Sequence, residues 1–278
     1  MSIELSFFTT YAFEQLKCGR FKNEIEAFRH FVNKGVTYGD IFEFDLIDYP
    51  MSLCTTLMQD AGMKAGCLIS ILDIAAFDPK ERAKNIALSM ERIVQMEKLG
   101  IPMLMAAPAV KDATNKDEFE KTRELLAEGF AKLSDYAESA GITVAIENQS
   151  IRVRPDSSMH DVRKILDAVP KLGYILDVGN FFCIGEDPLK GYEMLADRLV
   201  HVHGKDWRYD RFGSFVRENM ERFEGCAYGT GDVPMEEILH RLKADGYHGN
   251  VVIEVNGNVS WETIDESIDF TKRVLMER

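Results

Sequence analysis

"DPKERAKNIALSMERIVQMEKLGIPMLMAA", residues 78–107, is a helix that runs directly into a strand, with both ends marked. Asp78 can cap, Pro79 suits the first helical position, and Glu81 stands where a capping box needs it. Ile86, Met90, Ile93 and Val94 fall on one helical face, and Gly100 ends the helix. The short apolar run 101–107 then reads as a buried strand. Residues 115–148 repeat the plan. Asn115 caps, Glu118 follows three residues on, and Phe119, Leu126, Phe130, Leu133 and Ala137 form the stripe. Gly141 ends that helix, and a strand leads to Glu147.

Working outward, the same reading predicts strands at 3–8, 40–46, 65–74, 101–107, 142–148, 173–179, 199–205 and 250–256. Further helices fit 23–34, 51–62, 158–169, 188–197, 234–245 and 261–276. Eight βα units in 278 residues, with no linker or low-complexity tract, predict one domain over 1–278: a single-domain (β/α)8 TIM barrel, an α/β fold. An open doubly wound sheet would carry a Gly-rich first turn, and "FFTTYAF" at 7–13 has none.

The chain has 33 basic and 46 acidic side chains, a net charge of -13, which argues against a phosphate backbone as main partner. No apolar run reaches membrane-spanning length, and the opening stretch lacks a basic region and a small-residue cleavage site. The five cysteines are scattered with no CxxC pair, so free thiols in a cytoplasmic location are expected.

Barrel enzymes carry their chemistry at the C-terminal ends of strands. Strand five ends in Glu147 ("VAIENQS"), strand six in Asp177 ("ILDVGN"), strand seven in His203 ("HVHGKDW") and strand eight in Glu254 ("VVIEVNG"). A carboxylate buried at such a point without a partner costs several kcal/mol, and one divalent cation satisfies all four groups together. Three oxygens and one nitrogen suit Mn²⁺ first, with Mg²⁺, Co²⁺ or Zn²⁺ as alternatives, and the absence of thiolate argues against a structural zinc site. His201, one layer deeper on the same strand face, reads as a core residue.

With "IEN" at 146–148, "LDVGN" at 176–180, "HVHGKD" at 201–206, "GTGDVP" at 229–234 and "GYHGNVVIEV" at 246–255, the chain resembles the xylose isomerase-like barrels along essentially its whole length. That family includes sugar isomerases, sugar epimerases and endonuclease IV. The resemblance places the shared metal ligands on Glu147, Asp177, His203 and Glu254, and assigns Glu147 and Glu254 as the proton-transfer pair. Two positions depart from the ketose 3-epimerases. Asn180 stands where they have a substrate-binding histidine, and Tyr209 where they have an arginine. Endonuclease IV needs extra histidines. The six here (His30, His160, His201, His203, His240 and His248) put none at the ends of strands one to four.

The expected function is a metal-dependent isomerase or epimerase acting on a sugar-derived α-hydroxyketone. Glu147 and Glu254 would move the proton and the metal would stabilise the enediolate. The alternative is a dehydratase or lyase on a keto-sugar, inosose or keto acid with the same metal and base. A non-catalytic metal-binding barrel and a nuclease stand behind both. Candidate substrate contacts are Asn180, Lys205, Trp207, Arg208, Glu43 and Asn148. Lys205 would polarise a substrate oxygen or pair with Asp206, and Arg152 and Arg154, on the loop after strand five, read as surface arginines, with a phosphate or carboxylate contact as the alternative. The expected partner is a small-molecule sugar or sugar phosphate, with no nucleic acid and no membrane, and a homo-oligomer stays open. The long segment 207–228 is expected to cover the pocket.

Overall fold

The two marked helices form as their ends dictate. In the computed structural model, which describes residues 3–257 and 260–277, Asp78 accepts a hydrogen bond from the Lys80 N–H at 3.0 Å. The helix ends at Gly100, in the left-handed region at φ 69°. Asn115 caps the next helix through the Glu118 N–H at 3.0 Å. Glu118 reaches back one residue further than a standard capping box, to the Thr114 N–H (2.9 Å) and hydroxyl (2.7 Å).

Along the chain these elements alternate as β1 (Glu4–Phe8), α1 (Thr9–Lys17), α2 (Glu24–Asn33), β2 (Tyr38–Phe42), α3 (Met51–Ala61), β3 (Lys64–Ser70), α4 (Pro79–Leu99), β4 (Met103–Ala106), α5 (Lys116–Glu138) and β5 (Thr143–Glu147). Then come α6 (Met159–Ala168), β6 (Gly173–Asp177), α7 (Val178–Cys183), α8 (Pro188–Leu195) and β7 (Leu199–Gly204). The chain continues with β8 (Trp207–Tyr209), β9 (Phe215–Val216), β10 (Arg222–Gly225), α9 (Met235–Ala244), β11 (Asn250–Ile253) and α10 (Trp261–Met276). Eight strands pair in parallel in the order β1, β11, β7, β6, β5, β4, β3, β2, and β1 closes the barrel on β11 from Glu4 opposite Asn250 to Phe7 opposite Ile253. The chain is a single-domain (β/α)8 barrel.

The larger core lies between strands and helices, while Phe8, Cys67, Ile69, Met105, Ala145, Ile175 and Val252 form a second cluster of buried apolar side chains. Strand side chains alternate with a period of two, so the residue two beyond an inward one also faces inward. Ala145 leads to Glu147, Ile175 to Asp177, His201 to His203 and Val252 to Glu254, one layer nearer the strand exits. His201 keeps the core role expected of it. Its Nε2 lies 2.7 Å from Asp40 Oδ2, and Ser6 donates to the other Asp40 oxygen at 2.8 Å.

Several boundaries differ from the sequence reading. The strand expected at 40–46 stops at Phe42, and Glu43–Ile47 forms a 3-10 turn. Thr9 and Thr10 donate to the Asp45 carboxylate at 2.7 and 3.0 Å and draw that segment off the strand path. Helices α1 and α7 were not foreseen. The segment after β7 carries a three-stranded antiparallel sheet, β8-β10-β9. Among the described residues no helix is long and apolar enough to cross a membrane, and the five cysteines are free.

The loop between this small sheet and α9 hangs on Asp206. Its carboxylate accepts from the N–H groups of Gly229 (2.9 Å), Gly231 (3.1 Å) and Val233 (3.2 Å). Burial pushes its pKa up to about 6, against the pull of those donors. Asp206→Asn turns a donor toward backbone donors and should cost about 1–3 kcal/mol. Thermal melts check this: a fall of several degrees is expected, and an unchanged Tm would remove Asp206 from this role.

Candidate metal centre

Glu147, Asp177, His203 and Glu254 meet at the C-terminal mouth of the barrel, each offering a ligand atom within 4.8 Å of the others. Asp177 and His203 are direct cross-strand partners in the β6–β7 register. His203 Nδ1 lies 2.5 Å from Glu147 Oε1 and 3.6 Å from Glu254 Oε2. Its Nε2 is buried with no hydrogen-bond partner among the described residues, and the ring stands edge-on to Phe8 at 5.3 Å. The imidazole is thus held by packing on one side and faces carboxylates on the other.

Each carboxylate is fixed locally. Asp177 is the N-cap of α7. One oxygen accepts from the Asn180 N–H at 2.8 Å, leaving Oδ2 toward the cluster. Gln149 donates to Glu147 Oε2 at 2.7 Å, and Asn256 to Glu254 Oε1 at 3.1 Å. Glu254 lies just beyond the last paired residue of β11. Its N–H donates to the Tyr228 hydroxyl at 2.8 Å, and the Val255 N–H donates to the Tyr11 hydroxyl at 2.8 Å. These four partners were missed in the sequence. The one legible sign was a side-chain amide two residues after each glutamate, in "ENQ" and "EVN".

Lys205 lies among the carboxylates, 2.7 Å from Asp177 Oδ2 and 2.6 Å from Glu254 Oε1. It pairs with these rather than with Asp206, and also donates to Asn180 Oδ1 at 3.2 Å. Three carboxylates against one ammonium leave two negative charges in excess when all are ionised, the balance a divalent ion restores. Burial pushes Glu147 up to about 8, reinforced by Glu254, and also raises Asp177. Burial drives His203 down to about 4, so the imidazole is neutral as a ligand must be. For Lys205, burial pulls its pKa down, and the three carboxylates outweigh it and hold it well above its usual value. The donor set and charge fit one divalent ion.

The other expected contacts divide. Asn180 is buried at the cluster. Asn148 is fully buried, and its amide brackets Asp177 by accepting from the Tyr174 hydroxyl (2.7 Å) and Asp177 N–H (2.9 Å) and donating to the Asp177 carbonyl (2.9 Å). Trp207 packs into the core beside Phe215, at 5.4 Å between rings. Arg208 is exposed on β8 opposite Glu224. Glu43 lies in the 3-10 turn, with its carboxylate on Arg92, the Ile71 N–H and Ser70. Arg154 corrects the surface reading. It is buried, donating to both Asp156 oxygens at 3.2 and 2.9 Å and to the Pro108 carbonyl at 2.7 Å. Buried Asp156 supplies the charge that lets it sit inside. Arg152 is exposed as expected.

A parallel barrel with an acidic and imidazole cluster at its strand exits defines a class, and comparison supplies the family. The family model described as "Xylose isomerase-like TIM barrel" matches residues 27–274, and the chain belongs to that family. Among curated relatives, an inosose dehydratase of Lacticaseibacillus casei is 25% identical over 145 residues, 50% of this chain and 47% of that protein. The chain thus spans about half the length of such relatives in these matches. A 3-oxo-isoapionate decarboxylase of Pectobacterium atrosepticum is 24% identical over 227 residues, 74% of this chain and 78% of that protein. Among solved structures, D-allulose 3-epimerase from Methylomonas sp. in complex with D-allulose superposes with TM-score 0.74 at 18% identity, covering 98% of this chain and 97% of that one. The IolI protein with a zinc atom gives TM-score 0.74 at 19% identity, covering 98% and 96%.

The raised Glu147 pKa has a measurable consequence. The folded chain holds this proton up to about 8, while the unfolded chain releases it near 4.5, so metal-free protein loses stability as pH rises through that window. His203 works in the opposite sense, but only below its unfolded value of 6.5. Melts of EDTA-treated protein should therefore show Tm falling from pH 6.5 to 8.5. Mn²⁺ at a fixed concentration a hundred times its Kd at pH 6.5 should add about 2.7 kcal/mol there, several degrees, with a larger gain at the higher pH. If Mn²⁺, Mg²⁺, Co²⁺ and Zn²⁺ all leave Tm unmoved, the cluster is not a metal centre.

Proposed function

We propose that the chain is a metal-dependent enzyme that moves a proton beside a carbonyl of a small sugar or sugar derivative, with isomerisation or epimerisation as its reaction. One observation carries this reading. Of the four clustered groups, Glu147 and Glu254 alone keep measurable access, 7% and 8% exposed against 0% for Asp177 and 1% for His203. They come from β5 and β11, separated in the barrel by β6 and β7, so they approach a substrate from different sides.

Glu147, Asp177, His203 and Glu254 would hold the ion, Mn²⁺ by preference for this oxygen-rich set. When bound, the ion supplies Lewis-acid polarisation of the substrate carbonyl and neighbouring hydroxyl oxygens. Glu147, raised toward neutral pH by burial, removes or returns a proton on one face, and Glu254 serves the other. Gln149 and Asn256 hold the two carboxylates in aim. Lys205, fixed by Asp177 and Glu254, presents a cation to substrate oxygens, and Asn180 offers its amide to a hydroxyl. The small sheet β8-β10-β9 is proposed as the cover that excludes water.

A second reading, dehydration or another lyase reaction, is favoured by the dehydratase and decarboxylase among the sequence relatives. Dehydration begins with the same base and ends by expelling the hydroxyl with a proton as water; decarboxylation loses CO₂ to give the enolate, which the same carboxyl group then protonates.

The test is NMR in D₂O with Mn²⁺-loaded protein and a panel of ketoses, inososes and keto acids. Solvent deuterium at a carbon beside the carbonyl, with the hydroxyls retained, is the expected result. Loss of a hydroxyl or carboxylate selects the second reading. Glu147→Gln and Glu254→Gln should each slow exchange by about 10²–10⁴-fold. Metal binding without exchange on any substrate would overturn the proposal. For the cover, proteolytic nicking within 210–221 should raise KM, and unchanged kinetics would exclude it.

A further inference from the structure

The same face of the barrel carries a cavity of about 260 Å³ between the 150–153 loop after β5, the end of α7 and the β9 edge of the small sheet. Ser150, Arg152, Cys183, Phe215, Arg217 and Glu218 are among its lining residues. In a chain of net charge -13, two guanidinium groups on one cavity at this face stand against the overall field. We propose that this cavity is an anion subsite, taking a carboxylate or phosphate end group of the substrate handled at the adjacent centre. The proposal deepens the functional reading above and rests on it for the identity of the centre.

Three observations support it. First, Arg217 is held in place and incompletely satisfied. Its guanidinium lies over the rings of Phe182 (4.7 Å) and Phe223 (4.5 Å), Nη2 donates to the Phe182 carbonyl at 2.6 Å, and Nη1 to Glu221 at 3.1 Å. Its Nε is buried with no hydrogen-bond partner among the described residues. Arg217 lines the cavity, and a small shift of its planar fork would present the unused N–H, buried at rest, to a carboxylate or phosphate oxygen. Second, Arg152 is exchangeable. Its Nη2 donates to the Ile184 carbonyl on the cavity wall, while its Nε pairs with Glu218 at 3.5 Å; both of those side chains are exposed, so the rim ion pair is weak and a ligand anion can replace it.

Third, the cavity adjoins the cluster. Ser150 follows Glu147 by three residues, and Cys183 ends the helix that Asp177 caps. The Cys183 thiol lies within electrostatic reach of Lys205, Asp177 and Arg217, and burial keeps it neutral. The volume falls below the roughly 300 Å³ at which whole-ligand sites begin, so the cavity suits an end group rather than an entire sugar.

The experiment uses full-length, EDTA-treated protein, so that no anion can bind a metal. Inorganic phosphate and glycolate are titrated separately at constant ionic strength, and the Arg217 Nε–H signal is followed by ¹H–¹⁵N NMR. A saturable shift with either anion is expected, and the tighter one tells a phosphorylated substrate from an acid. Arg152→Gln, at an exposed position, should weaken binding at least about tenfold, and Arg217→Lys, followed through the Arg152 Nε–H signal instead, should weaken it while keeping the charge. No shift with either anion, or a Kd unchanged in Arg152→Gln, overturns the subsite. Failure of the functional reading would appear instead as absent deuterium exchange in the metal-loaded protein, which this titration does not involve.

Discussion

Three carboxylates converge within 4.8 Å of one imidazole, all four groups buried at the strand exits. At an effective dielectric constant of about 20, two like charges 4 Å apart repel by about 4 kcal/mol, and three such pairs are too costly to leave uncompensated. Lys205 relieves part of this through two contacts of 2.7 and 2.6 Å, and protonation of Glu147 relieves more. Neither completes the balance while the ligands stay ionised. The centre is an arrangement whose ionised form a further dication would balance, and much of the surrounding structure holds the groups together against that repulsion.

Most of the holding is done by backbone geometry. The period of two sends Glu147, Asp177, His203 and Glu254 inward from four neighbouring strands without any loop deciding their direction. Asp177 also caps α7, which fixes one oxygen and directs the other. Glu254 is the exception, since it stands beyond the last ladder pair. Its N–H still reaches the Gly204 carbonyl of β7 at 3.1 Å, and two tyrosine hydroxyls, from α1 and from the turn after the small sheet, add bonds to the Glu254 and Val255 N–H groups. Elements remote in sequence therefore converge on one glutamate.

That division explains how much could be read from the chain. Strand existence, strand order and the four clustered residues follow from apolar periodicity and the strand-end rule, both local patterns. What escaped depends on contacts between distant segments. The alternation in "DIFEFDL" continues past Phe42, but Thr9 and Thr10 capture Asp45 and end the strand early. Arg154 resembles a surface arginine until Asp156 is seen buried beside it. Lys205 stands next to Asp206 in sequence, yet successive residues of an extended segment point apart. The lysine turns to the cluster while the aspartate holds the turn at Gly229 to Val233.

The same distinction bears on which reaction the site performs. Abstraction of a proton beside a carbonyl is common to isomerases, epimerases and dehydratases, so a four-residue cluster cannot by itself select among them. Selection falls to the groups that meet the rest of the substrate. Asn180 takes the position at which the resemblance places a family histidine; its amide, joined to Lys205 and to the Asn148 carbonyl, can hold a hydroxyl but cannot transfer a proton as an imidazole can. Tyr209, where the epimerases carry an arginine, is exposed on the small sheet. The cationic contact those enzymes draw from that position must come from elsewhere if this chain uses one. On the proposed reading, Lys205 supplies it from below and the arginines of the neighbouring cavity from the side. A change of substrate then requires rebuilding the rim while the strand ends stay as they are.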